Sequence, residues 1–337
     1  MNIALDAMGG DNAPEEIVRG AALASKQIDG KIFVVGDSGE INRILKDCDY
    51  KAENIEVVHT TEVIENTDKP TKAIRQKKDS SLVKCFALVC EGKADAMVSA
   101  GSTGALLAGS IHFLKRLPGV LRPALAPFLP SDKNGFLIVD GGANTNSRPD
   151  HLLQFAIMGS IYAEKVMGIE NPRVGLLNIG AEDEKGNELT KAAFEILSQS
   201  DLNFIGNIEG RDPIMGTVDI VVCDGFAGNV LLKATEGAGL VLFKSLKEVM
   251  LGSMKNKIAA LMMKNGLKEL KKKYDYKEYG GAPFLGVSSC VIKAHGTSDA
   301  LSVASAVKQA NDFAASGALK LMEVQINCNN GGNEDDI

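Results

Sequence analysis

The stretch AMVSAGSTGALLAG, residues 96–109, has the layout of a strand, a small-residue turn and the start of a helix. Its apolar run ends at Ser99, the turn is Gly101-Ser102-Thr103-Gly104, and an Ala/Leu run follows. Because backbone N–H groups at a helix N-terminus bind anions, this layout predicts a phosphate cradle. The lysine that a nucleotide-binding P-loop carries is missing from the turn. The stretch therefore predicts a phosphate site of another kind.

The alternation of apolar strand and helix extends along most of the chain. Strands are predicted at residues 2–5, 31–35, 55–58, 96–99, 136–139, 174–177, 220–222 and 290–292, with helices between them. Nearly continuous apolar strands are typical of parallel sheets buried on both faces. We predict an α/β fold with a mostly parallel sheet and helices on both of its faces. Residues 1–320 contain no linker-like stretch and are expected to form one intertwined unit, with or without a division into two lobes.

Composition excludes several classes of function. The chain has 337 residues and a net charge of −6, which argues against a nucleic-acid partner. Its six cysteines form no C-x-x-C pair, which is typical of reduced thiols in a cytoplasmic protein, and its four histidines lack zinc-ligand spacing. We expect no metal, no signal peptide and no membrane-spanning segment.

Small polar and glycine residues follow six of the predicted strands. In parallel sheets such loops gather at the carboxyl ends of the strands, where ligands bind. Together they would line a crevice with N–H groups, hydroxyls and amides, which suits a small anion. The loops begin after residues 5, 99, 139, 177, 222 and 292.

Competing motifs are absent. The turn at 101–104 does not match G-x-x-x-x-G-K-[ST], no G-x-G-x-x-G follows the first strand, and G-x-S-x-G does not occur. A kinase, a P-loop ATPase and a serine hydrolase are therefore disfavoured.

Each candidate residue also has a structural interpretation. Lys185, in GAEDEKGN, has the surroundings of a solvated surface lysine, and Asn229 could simply cap the following helix. Asp6 could only shape the first loop through Asx hydrogen bonds. His295 lies in a small-residue loop, where structural and functional roles are equally reasonable.

Long blocks of the sequence resemble the bacterial phosphate acyltransferases. The blocks are MNIALDAMGGDNAP, TDKPTKAIRQKKDSS, MVSAGSTGAL, QFAIMGSIYAEKVMGIENPRVGLLNIGAEDEKGNELTK, CDGFAGNVLLK and EYGGAPFLGV. The segment IVDGGANTNSRPDHL departs from the more usual form, DVGANVDAKPEHL, although Asp140, Gly142, Ala143 and Asn144 still match. The resemblance covers residues 1–318.

The resemblance implies a fold similar to phosphotransacetylases and to isocitrate and isopropylmalate dehydrogenases. It implies transfer of a fatty acyl group from acyl carrier protein to inorganic phosphate for phospholipid synthesis, by a homodimer without a cofactor. The catalytic candidates are Lys185, Asn229 and His295. Candidates for binding phosphate or substrate are Asp6, Ser99, Ser102, Thr103, Asn144, Asp224 and Ser298. The alternatives are a metal- and NAD-dependent dehydrogenase of the isopropylmalate type and a non-catalytic membrane scaffold.

A lysine-rich segment interrupts the α/β pattern. Residues 244–273 contain nine lysines and two glutamates, interleaved with methionine and leucine. We expect residues 244–275 to form a basic amphipathic helical hairpin, broken at Gly252 and Gly266, that touches an anionic membrane peripherally. A dimer face, or a surface for acyl carrier protein, is the alternative. The residues expected to contact the membrane are Leu251, Met254, Ile258, Leu261 and Met262. The acidic tail, residues 326–337, is expected to be disordered.

Overall fold

The strands of the protein form two sheets. The computed structural model describes residues 1–274 and 280–329. Their strands are β1 Ile3–Asp6, β2 Ile32–Gly36, β3 Ile55–His59, β4 Ala96–Ser99, β5 Ala124–Leu125, β6 Phe128–Leu129, β7 Phe136–Val139, β8 Val174–Leu177, β9 Phe204–Ile208, β10 Ile220–Val222, β11 Ala282–Leu285 and β12 Cys290–Lys293.

Twelve α-helices accompany these strands in the described ranges. They are α1 Glu15–Ala24, α2 Ser38–Leu45, α3 Pro70–Gln76, α4 Ser81–Cys90, α5 Thr103–Gly109, α6 Pro149–Lys165, α7 Glu188–Ser198, α8 Gly225–Leu251, α9 Met254–Met262, α10 Lys264–Tyr274, α11 Ala300–Ala315 and α12 Ala318–Asn329. A π-helical turn, Ser110–Leu114, continues α5.

Both sheets are mainly parallel, as the sequence predicts. The larger has the order β3-β2-β1-β4-β12-β11-β5, and the smaller has the order β6-β7-β10-β8-β9. Among the described strands, the antiparallel pairs are β11 with β12, β11 with β5, and β6 with β7. Ile3 and Leu5 pack into one hydrophobic cluster and Ala4 into another, so β1 is covered on both faces. The predicted α/β architecture is thus confirmed, although its strands divide between two sheets.

Several elements differ from the predicted ones. Strands β5, β6, β9 and β11 were not expected, and α12 extends to Asn329. The predicted disordered tail at 326–337 is therefore wrong at its start, because Ile326 is fully buried at a helical spacing from Ala318 and Met322. The rest of that tail, 330–337, lies outside the described residues.

The lysine-rich segment forms three helices instead of two. Helix α8 ends at Gly252, as expected, but the second break falls at Met263 and not at Gly266. Ser253 caps α9 by accepting a hydrogen bond from the Asn256 N–H (3.1 Å). By length and composition α8 could cross a membrane, although Gly225, Gly228 and Leu232 at its beginning are buried in the protein. The last residue of the predicted hairpin, 275, lies outside the described chain.

Candidate functional site

A cavity of about 270 Å³ opens between the two sheets, at the carboxyl ends of their parallel strands. Loops after β4, β7 and β12, the beginning of α8 and the segment from β5 to β6 surround it. The apolar residues of its wall include Leu125, Pro127, Phe128, Leu129 and Leu232. The polar residues of its wall are Thr103, Asn229, Lys233, Glu236, Lys293 and His295. The cavity can therefore hold a ligand with a polar head and an apolar chain.

Asp6 supports the turn after β4 through a hydrogen bond to Ser99. The Ser99 hydroxyl donates to the Asp6 carboxylate (2.7 Å) and accepts from the Gly101 N–H (3.0 Å). Both side chains are buried, and burial raises the pKa of Asp6. The Ser102 hydroxyl caps α5 by accepting a hydrogen bond from the Ala105 N–H. The next residue, Thr103, lines the cavity. Asp6 and Ser99 thus shape the turn that presents Thr103.

The loop after β7 is organised around Asp140. Its carboxylate accepts hydrogen bonds from the N–H groups of Leu125 (2.9 Å), Gly142 (3.1 Å), Ala143 (3.0 Å) and Asn144 (2.6 Å). Burial raises the pKa of this carboxyl. The Asn144 amide is also engaged, since it donates to the Pro123 carbonyl (2.7 Å). These hydrogen bonds define the shape of the loop beside the cavity.

Helix α8 begins in tight contact with that loop. Asp224 caps it by accepting from the Ala227 N–H (2.8 Å), and the Gly225 N–H donates to the Asn144 carbonyl (2.7 Å). A Cβ on Gly228 would lie 1.9 Å from the Asp140 carbonyl oxygen, so only glycine allows this approach. The packing brings Asn229 to Gly142, which has a φ of 135°.

Two basic side chains of the polar wall come from β12 and the loop after it. The Lys293 ammonium donates to the main-chain carbonyls of Ala100 (3.3 Å) and Ala294, and burial lowers the pKa of Lys293 to about 8. Burial also lowers the pKa of His295, so its imidazole is mainly neutral at pH 7. His295 Nδ1 lies 2.9 Å from the Thr297 hydroxyl and 3.3 Å from the Thr297 N–H. A neutral ring that accepts from this N–H carries its proton on Nε2.

The predicted site residues occupy three kinds of position. Thr103, Asn229 and His295 line the cavity. Asp6, Ser99, Ser102, Asn144 and Asp224 hold the turns around it, and Ser298 is buried with a hydroxyl that has no hydrogen-bond partner among the described residues. Lys185 lies in the exposed loop after β8 and is not among the residues that line the cavity.

Three charged residues of the cavity wall were not among the predicted site residues. They are Lys233 and Glu236, which form an ion pair on α8 (2.7 Å), and Lys293. Lys293 had a usable signal, because a charged residue ends an otherwise apolar strand there. The lysine and glutamate of α8 resemble any exposed helical i, i+3 pair, so the sequence does not mark them.

The lysine-rich helices present apolar side chains to solvent. The five residues predicted to contact a membrane are between 52% and 84% exposed: Leu251, Met254, Ile258, Leu261 and Met262. Across the described ranges, no group of three metal-ligating side chains comes together.

Solved structures with the same fold define the class of this protein. A phosphotransacetylase from Streptococcus pyogenes superposes with a TM-score of 0.61 at 17% identity, covering 93% of this chain and 94% of that one. A 4-hydroxythreonine-4-phosphate dehydrogenase from Klebsiella pneumoniae gives 0.52 at 14% identity, covering 93% and 98%. The protein has the phosphotransacetylase fold, which a dehydrogenase shares.

Sequence relatives identify the family. The family described as "Fatty acid synthesis protein" matches residues 1–321, and the chain belongs to it. A phosphate acyltransferase of Geobacillus thermodenitrificans (strain NG80-2) is 50% identical over 97% of this chain and 99% of its own length. One of Lysinibacillus sphaericus (strain C3-41) is 52% identical over 92% and 94%. These relatives make the protein an acyltransferase of the phosphate acyltransferase type.

Proposed function

We propose that the protein transfers a fatty acyl group from acyl carrier protein to orthophosphate and releases acyl phosphate for phospholipid synthesis. The observation that carries the proposal is the mixed lining of the cavity. Its polar residues suit phosphate and the reacting carbonyl, and its apolar residues, among them Phe128 and Leu232, suit the start of an acyl chain. The likeness to named phosphate acyltransferases supports the same reaction.

In this proposal orthophosphate binds at the turn after β4. Thr103 and the N–H groups at the beginning of α5 are its donors, while Ser99 and Asp6 keep the turn in shape. The other candidates, Ser102, Asn144, Asp224 and Ser298, lie in the loops after β4, β7, β10 and β12. Binding the anion beside the thioester removes much of the entropic cost of a reaction between two molecules.

The chemistry is a direct substitution at the thioester carbonyl. A phosphate oxygen forms the new C–O bond, the C–S bond breaks, and the sulfur leaves with the electron pair. The proton of hydrogen phosphate ends on that sulfur, so atoms and charge balance. The carbonyl oxygen becomes negative on the way, and donors at Asn229 Nδ2 and His295 Nε2 would stabilise it. Lys185 stays a third catalytic candidate, in the loop after the strand next to β10.

The decisive experiment measures loss of the acyl carrier protein thioester with and without phosphate. We expect loss only with phosphate, together with a product that hydroxylamine converts to a hydroxamate. Asn229→Ala should lower kcat about a hundredfold, the usual effect of removing an oxyanion donor. Asn42→Ala, at an exposed amide on α2, is the matched control and should leave kcat unchanged. If the thioester is lost neither with phosphate nor without it, the scaffold alternative is favoured. Reduction of NAD by a hydroxy acid would favour the dehydrogenase.

The lysine-rich helices extend the proposal to partners. We propose that their exposed apolar face touches an anionic membrane peripherally, where acyl phosphate would be consumed by a membrane-bound step. Their lysines would attract anionic lipid, at about 1 kcal/mol for each lysine near the surface, and also the acidic acyl carrier protein. Pairing of the same face with a second copy would give the expected homodimer.

A further inference from the structure

Lys293 and the turn after β4 come together although they are far apart in the chain. Lys293 ends β12, which pairs in parallel with β4, and it is the register partner of Ser99. Ser99 is in turn the register partner of Asp6 on β1. The three residues thus form one row across the carboxyl ends of neighbouring strands, directly below the turn.

The side chain of Lys293 reaches from this row to the turn itself. Its ammonium donates to the carbonyl of Ala100, a residue 193 positions earlier in the chain and the first after β4. It also lines the cavity together with Thr103 and His295. The cation therefore lies between the turn and the open space that a ligand would occupy.

The ammonium of Lys293 has no direct carboxylate partner among the residues described, and it donates hydrogen bonds to two main-chain carbonyls. The carboxylates of Asp6 and Asp11 attract it at longer range, and the positive charge of Lys233 repels it. Glu236 and His295 share its cavity, but Glu236 is paired with Lys233. A partly buried cation of this kind favours an anionic ligand.

We propose that Lys293 is the cation that binds orthophosphate at the turn after β4, in place of the lysine that a P-loop carries within its own sequence. This inference rests on the proposed function for the identity of the anion. Its chemical content is a hydrogen bond and an ion pair from Nζ to a phosphate oxygen, with no covalent step. It explains how a turn without a basic residue can hold a dianion.

The role has a pH signature. Lys293 is charged below its pKa of about 8 and neutral above it. The affinity of the free enzyme for phosphate should therefore fall as the pH rises above about 8. Arginine stays charged throughout this range, so Lys293→Arg should remove that fall.

The test is calorimetric titration of the full-length protein with inorganic phosphate, alongside the KM for phosphate in the thioester assay. Lys293→Met should weaken binding about tenfold to a hundredfold, because a hydrogen bond to a charged group is lost. The KM for the acyl substrate should change little. Lys308→Met, an exposed lysine on α11, is the matched control and should bind phosphate as the wild type does.

The outcomes separate the role of Lys293 from the proposed function. Unchanged phosphate affinity in Lys293→Met, with the wild type active, would overturn this inference and leave the proposed function intact. A wild type that binds no phosphate and consumes no thioester would overturn both. If Lys293→Met does not fold, the profiles of the wild type and Lys293→Arg decide, and a fall above pH 8 in both, or in neither, would overturn the role of Lys293.

Discussion

Gly228 shows how closely the two halves of the site are packed at the scale of single residues. It lies where α8 packs against the loop after β7. A Cβ at this position would clash with a backbone oxygen, which cannot move away as the end of a flexible side chain could. The adjacent Asn229 owes its position at Gly142 to this contact. Close packing at one glycine thus sets the geometry of a candidate catalytic amide.

Gly228→Ala should therefore destabilise the protein by about 1–3 kcal/mol, the usual cost of overpacking, and should lower activity by displacing Asn229. Gly237→Ala is a matched control on the same helix, because a Cβ there meets nothing within 4 Å. That control should stabilise the protein by about 0.5–1 kcal/mol, since alanine favours helix. Urea denaturation measures both changes, and equal stability of the two variants would contradict the packing described here.

Individual residues of the site were predictable to different degrees. Thr103, Asn229 and His295 follow strands in small-residue loops, and this local pattern was enough to select them. Lys293 carried a local signal too, a charge at the end of an apolar strand. Its contact with the turn after β4 was not predictable, because that contact comes from the pairing of β12 with β4, two distant parts of the chain.

At the scale of elements, α8 joins the site to the exposed lysine-rich helices. Its beginning contributes Asn229 and Lys233 to the cavity, and beyond Glu236 it presents Leu240, Val241 and Leu242 to solvent. Helix α9 adds the exposed apolar side chains of Leu261 and Met262, and α10 adds that of Leu270. One helix thus links the cavity to the proposed membrane face.

Leu261→Glu should weaken binding to vesicles of anionic lipid, because it places a charge on the apolar face and repels the lipid surface. Co-sedimentation measures the effect. Val324→Glu, at an exposed apolar position on α12, is the matched control and should bind as the wild type does. If none of the three proteins sediments with vesicles, the membrane face is disproved. Dissociation of a dimer by Leu261→Glu, seen in sedimentation velocity, would instead assign the face to a second copy.

The boundaries of elements were predictable where local rules act. Gly252 ends α8 as expected, whereas the break at Met263 carries no glycine or proline and so has no local signal. The helical spacing of Ala318, Met322 and Ile326 was a usable signal for α12, but the polar residues around it favoured the interpretation as a tail.

At the scale of the whole molecule, the cavity exists because two sheets meet. Thr103 and His295 follow strands of the larger sheet, and Gly142 and Asn229 follow strands of the smaller one. The alternation of strands and helices predicted a site at the carboxyl ends of the strands, because that rule applies to any parallel sheet taken by itself. It could not predict that strands divide between two sheets, because strand order depends on packing of distant segments.

The central claim is that phosphate attacks the thioester directly inside this cavity. Its most direct test uses acyl carrier protein with a radiolabelled acyl chain, mixed with the protein and quenched within one turnover. We predict that the label passes to acyl phosphate only when phosphate is present, and that none is found on the protein. Label attached covalently to a cysteine, serine or lysine of this chain, formed without phosphate and released by its addition, would contradict the account.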